Sequence, residues 1–135
     1  MDLNLSHVML LVNDQDEALA FYRDTLGFEV RNDVKFEQMR WVTVGPKSQP
    51  ELEILLETAD TRSPADREAI RELVAKGSLG TLIFTTQDCD ATFEKLRAAG
   101  AEVTQEPVDQ PYGVRDCAFR DPSGNHIRFS QHFKS

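Results

Sequence analysis

Hydrophobic and polar positions along this chain fall into two recurring blocks. From His7 to Val12 the residues are nearly all apolar, which suits a buried strand. Asp14 and Glu17 follow with the spacing of a helix capping box. Ala18, Leu19, Phe21, Tyr22 and Leu26 then supply one apolar helix face, and Gly27 fits a left-handed cap at its end. Three strand-like stretches come next: one that begins over Phe28 to Arg31, Arg40 to Val44 stopped by Gly45-Pro46, and Glu51 to Leu56. The first block therefore predicts β-α-β-β-β.

The second block repeats the order. It predicts a strand over Thr81 to Thr86 and a helix over Cys89 to Ala99, capped by Asp88 or Asp90 and ended by Gly100. Strands over Glu102 to Gln105, Val114 to Phe119 and His126 to Gln131 follow, with a loop over Pro107 to Gly113 and a tight turn over Asp121-Pro122-Ser123-Gly124-Asn125. Val12-Asn13-Asp14 falls on Thr86-Gln87-Asp88, and Gly27-x-Glu29-Val30 on Gly100-x-Glu102-Val103. So long a period is not a solenoid repeat and points to a duplicated half-domain. Between the blocks, Ser63, Pro64 and Gly77 bracket a helix whose apolar positions Ala65, Ala69, Ile70, Leu73 and Val74 form a modest stripe, as on a surface helix.

The expected fold class is α+β: two βαβββ modules forming a curved eight-stranded cleft, helices outside. One domain spans 1–135, with module one at 1–60, the connecting helix at 61–77 and module two at 78–135.

Period-two alternation assigns the faces. Val8, Leu10 and Val12 point to the helix side, as do Leu82, Phe84 and Thr86, and Ile127 and Phe129. The opposite, concave side then carries His7, Met9 and Leu11, Glu51, Glu53 and Leu55, Thr81, Ile83 and Thr85, and His126, Arg128 and Ser130. The cleft is expected to be lined by His7, Glu53, Thr81, His126 and Arg128. Trp41, Phe36, Met39 and Tyr112 are aromatic and soft side chains placed to reach it, Tyr112 as a lid on the loop before the seventh strand.

Composition narrows the function classes. A net charge of −8 and a pI near 4.8 repel phosphate, so nucleic acid and anionic membrane are poor partners. No apolar run approaches the length of a bilayer span, and MDLNLS lacks the basic flank of a signal peptide. With two cysteines, Cys89 and Cys117, the expected location is the cytoplasm with free thiols. Cys89 sits near a helix start, which can lower a thiol pKa, but an inert thiol is the reading preferred.

His7 with VMLLV, Asp14 with ALAFYRDTLGFEV, Gly45-Pro46, Leu52-Glu53-Ile54 and the closing DPSGNHIRF together resemble the vicinal oxygen chelate superfamily of glyoxalase I, bleomycin-resistance proteins and extradiol dioxygenases. The resemblance implies paired βαβββ modules, a homodimer, often with modules exchanged, and a cleft that in many members holds a divalent metal. The metal-binding members place His, Glu, His or Gln, and Glu on four strands. This chain has His7 and Glu53 at the first two positions but Thr81 and Arg128 at the others.

Thr is a poor ligand for a transition metal and a guanidinium cannot ligate at all. A guanidinium about 4 Å from a divalent cation is repelled by ~8 kcal/mol at an effective dielectric of about 20. His126 is a substitute ligand only from the rim, about 7 Å along the strand. The expectation is a cleft with no metal and no cofactor that favours anions. Arg128 would pair with Glu53 or another carboxylate, or receive a ligand carboxylate or phosphate. Asp116 and Arg120 are expected to form a structural ion pair. The expected function is binding of a small anionic or aromatic molecule, with a metal-dependent lyase, isomerase or dioxygenase on a rearranged site as the alternative.

Overall fold

The computed structural model describes residues 1–133 of the chain; residues 134 and 135 of the expected second module lie outside the described residues. The described residues form two four-stranded mixed sheets with three α-helices. The first sheet contains β1 (His7–Leu11), β2 (Glu29–Phe36), β3 (Met39–Gly45) and β4 (Glu53–Glu57) in the order β1-β4-β3-β2. The second contains β5 (Thr81–Thr85), β6 (Glu102–Gln110), β7 (Val114–Arg120) and β8 (His126–His132) in the matching order β5-β8-β7-β6. In each, the first strand runs parallel to the last and the other neighbours are antiparallel. Both sheets are open.

Helix α1 (Gln15–Ala20) is capped by Asp14, whose carboxylate accepts from the Glu17 amide at 2.8 Å. It continues through a π-helical turn, Phe21–Thr25, to Gly27 at φ 74°. Helix α3 (Cys89–Ala98) is capped in the same way by Asp88, which accepts from Ala91 at 3.0 Å. Of the two aspartates that suited this cap, it is the one standing where Asp14 stands in the first module. Helix α2 (Pro64–Ala75) joins the modules and buries Val74.

Leu10, Val12, Ile54, Leu56, Phe119, Ile127 and Phe129 are buried on the helix side of the sheets, as alternation requires. An aromatic chain crosses from one module to the other. Tyr22 meets Phe28, Phe28 meets Phe84 and Phe84 meets Phe129, with ring centroids 5.9, 5.3 and 5.8 Å apart. Such pairs add specific geometry to the burial of their area.

The turn between β7 and β8 ties the halves together. One oxygen of Asp121 accepts from the amides of Ser123, Gly124 and Asn125. Its other oxygen accepts from the Tyr22 hydroxyl at 2.8 Å and the Asn125 amide at 3.0 Å. The Asn125 amide also donates to the Leu11 carbonyl, and Ser123 Oγ accepts from the Asn13 amide. Gly124 at φ 117° lies so close under α2 that a Cβ there would collide with the Val74 carbonyl. DPSGN is thus the joint on which module one, α2 and module two converge.

One expectation is corrected here. Pro107 lies inside β6 rather than in a loop; β6 is the sheet edge, where a missing N–H costs no ladder bond, and the register shifts around it. The strand that begins in the Phe28 to Arg31 stretch is β2, which runs on to Phe36 past a bulge between Val30 and Asn32.

Candidate functional site

Most of the candidate residues are bonded to partners within their own half of the chain. In module one, parallel pairing of β1 with β4 sets His7 directly opposite Glu53. His7 Nε2 lies 3.2 Å from Glu53 Oε2, and its Nδ1 lies 2.8 Å from Ser6 Oγ. Glu53 Oε1 accepts from Thr43 Oγ1 at 2.6 Å and from Asn32 Nδ2 at 2.7 Å. The Thr43 hydroxyl first, then Asn32, His7 and Arg31, hold the Glu53 carboxyl below the usual carboxylate range against the opposing effect of burial. Trp41 packs beside this pair, its ring centroid 6.0 Å from that of His7.

In module two, Thr81 stands opposite His126 in the β5–β8 register. His126 Nε2 is 3.0 Å from the Gly77 carbonyl, at the end of the connecting segment. Arg128 pairs with Asp116 at 3.1 Å and donates to Gln105 Oε1 at 3.1 Å. Asp116 is 1% exposed and also accepts from the amides of Gln105 at 2.7 Å and Gln110 at 3.0 Å. Burial works against its ionisation, yet those two amides and the Arg128 guanidinium hold its carboxyl below the usual range.

This arrangement corrects the expected Asp116–Arg120 pair. Four residues along one strand separate their side chains by about 13 Å. Arg120 instead donates to the Lys76 carbonyl and lies 3.8 Å from Glu102. Arg128 takes another carboxylate rather than Glu53, and its charge is already answered within its own sheet. Tyr112 is 69% exposed on the turn between β6 and β7. Cys89 and Cys117 are both free and buried, and burial pushes both thiols up, Cys117 to about 12. The helix start does not activate Cys89.

The four family metal positions are tested by the donor set. His7 and Glu53 can hold a cation, but Thr81 and Arg128 complete no coordination sphere. Among the described residues no three His, Cys, Asp or Glu side chains converge to hold a metal ion. The residues present do not fit the metal that the resemblance implies.

A hollow of about 750 Å³ opens on module one toward the far end of β4. Phe36, Met39 and Trp41 of the β2–β3 hairpin, Leu55 and Glu57 of β4, and Arg67 of α2 are among the residues lining it. Of the seven expected ligand-binding residues only Trp41 lies there. Sequence reasoning missed Arg67, Asn32 and Thr43. Thr43 had a signal, since it stands two residues from Trp41 and shares its face; Arg67 had none, because only the fold of the connecting segment brings α2 over the sheet.

The glyoxalase/bleomycin resistance protein/dioxygenase superfamily model matches residues 4–129. The crystal structure of UcmS2 is 42% identical, covers 96% of this chain and 98% of its own, and superposes with a TM-score of 0.89. TnmS3, an antibiotic-binding protein from Streptomyces sp. CB03234, is 29% identical over 98% of both chains with a TM-score of 0.78. An uncharacterised protein of Bacillus subtilis, YurT, is 34% identical over 90% of this chain and 94% of its own.

Proposed function

Because this chain belongs to the glyoxalase/bleomycin resistance protein/dioxygenase superfamily, we propose that it binds a small, flat, partly apolar organic molecule on the open side of its sheets and does so without a metal ion. The observation that carries this reading is the hollow of about 750 Å³ walled by Trp41, Phe36 and Met39. Its volume suits a small-molecule site, and the apolar wall stands beside a lining that is otherwise mostly polar and charged. TnmS3, an antibiotic-binding protein similar over nearly its full length, supports a small-molecule ligand. The broken ligand set supports independence from metal. Calorimetric titration with a panel of planar aromatic compounds tests the proposal: saturable binding to any of them is expected, and no heat from any of them counts against it.

The second reading is a metal-dependent lyase, isomerase or dioxygenase. The 3.2 Å approach of His7 to Glu53 on the open face favours it. Elemental analysis of protein purified without chelators decides, since one equivalent of nickel, zinc, manganese or iron per chain would establish the second reading over the first.

The proposal includes a homodimer that closes the open faces. Ile83 at 65% exposure, Val34 at 51% and Met9 at 47% are apolar strand residues on no buried face of this chain. Sedimentation should give twice the mass of one chain, and Ile83→Asp should lower it. A cytoplasmic location completes the reading, supported by the two free thiols. No helix among the described residues is long and apolar enough to cross a membrane.

A further inference from the structure

The charges around the module-one hollow do not cancel evenly. Arg40 is held by Asp33 at 2.9 Å and Asp16 at 2.6 Å. Glu57 is held by Arg62 at 3.2 Å and Asp60 by Arg71 at 2.7 Å. Two lining groups remain. Glu37 is exposed at the tip of the β2–β3 hairpin, at φ 57°, where water screens it. Arg67 is half-buried, and among the described residues no carboxylate pairs with it.

Arg67 is nevertheless fixed in place. Its Nε donates to the Arg62 carbonyl at 3.0 Å and its Nη2 to the Asp60 carbonyl at 3.2 Å. Those two bonds anchor the guanidinium to the turn before α2 and leave Nη1 without a bond to any described residue. The same hollow presents the ring of Trp41 and the side chain of Met39.

Resting on the binding reading above, we infer that the ligand of this hollow is a planar aromatic acid, its ring system on the wall made by Trp41 and its anionic oxygen paired with Arg67. A ligand that fills the hollow strips water from a cation that has no carboxylate of its own. A neutral ligand leaves that cation undercompensated, whereas a carboxylate or phenolate supplies a charge-assisted bond to a donor already oriented by two backbone carbonyls. Arg128 cannot play this part while Asp116 holds it.

The test compares three probes of one shape: 2-naphthoate, 2-naphthamide and 2-naphthylmethylammonium. Calorimetry measures affinity, and the emission of Trp41, the chain's single tryptophan, reports occupancy of the hollow. The carboxylate should bind about tenfold tighter than the amide, a difference of about 1.4 kcal/mol. Arg67→Gln should bring the two within about twofold, because the carboxylate loses its partner and the amide no longer buries an unpaired cation. In the unaltered protein the carboxylate's advantage should also shrink as ionic strength rises, which keeps the inference open to failure even if the variant does not fold. Equal affinities for acid and amide, an advantage that survives Arg67→Gln, or tightest binding of the ammonium would overturn the inference and leave the binding reading standing. No binding and no change in Trp41 emission with all three probes would bring down both.

Discussion

The Arg128 guanidinium and the Asp116 carboxylate lie 3.1 Å apart between neighbouring strands of the second sheet. A carboxylate that is 1% exposed has lost its water and depends on its partners. Arg128→Met should cost about 2 kcal/mol in urea unfolding at neutral pH, because Asp116 keeps only its two glutamine amides. The sign with pH follows from the depressed carboxyl. Its stabilisation is complete above the unfolded carboxylate range and is lost as pH falls through the folded one. The gap between the two proteins should therefore narrow in acid. A constant gap down to acid unfolding would show that the pair contributes nothing through charge.

Tyr22 and Asp121 join residues 99 positions apart in the chain. Burial first, then the charge of Asp121 and the bond to it, push the phenol far above its ordinary range. Tyr22→Phe should cost about 2 kcal/mol, since the buried Asp121 carboxylate loses a donor. A raised folded pKa gives stability that is full below the unfolded value and falls as pH rises past it, because only the unfolded chain ionises there. The unaltered protein should lose stability above about pH 10. Tyr22→Phe should show a shallower loss, as measured by denaturant midpoints across the alkaline range.

The Thr43 hydroxyl is the strongest support of the Glu53 carboxylate and is itself buried. Thr43→Val removes that bond without changing volume much. The Glu53 carboxyl should then titrate at higher pH, as read from its side-chain carbon resonance, with a cost of about 1 kcal/mol at neutral pH. An unchanged titration would mean that Asn32 and His7 suffice.

Much of the fold was legible because local and global signals agree. Asp14 and Asp88 are both helix caps, Gly27 and Gly100 both take positive φ beyond the helix ends, and alternation placed Leu10, Ile54 and Ile127 in the core. Glu17 had the spacing of a full capping box, yet only its backbone amide bonds to Asp14. The site was less legible because its partners depend on register. Arg128 faces Asp116 rather than Glu53 because the β7–β8 turn sets those two strands side by side within one sheet. The hollow arises where a hairpin, β4 and the start of α2 come together, and no periodicity encodes that meeting.

The most direct measurement is a Trp41 fluorescence titration with 2-naphthoate on protein stripped by exhaustive chelation, repeated after adding back zinc, nickel or iron(II). Saturable quenching is expected in the stripped protein, with the same midpoint after any metal is restored. Quenching that appears only once a divalent metal is present would contradict binding without a metal ion and return His7 and Glu53 to the role of metal ligands.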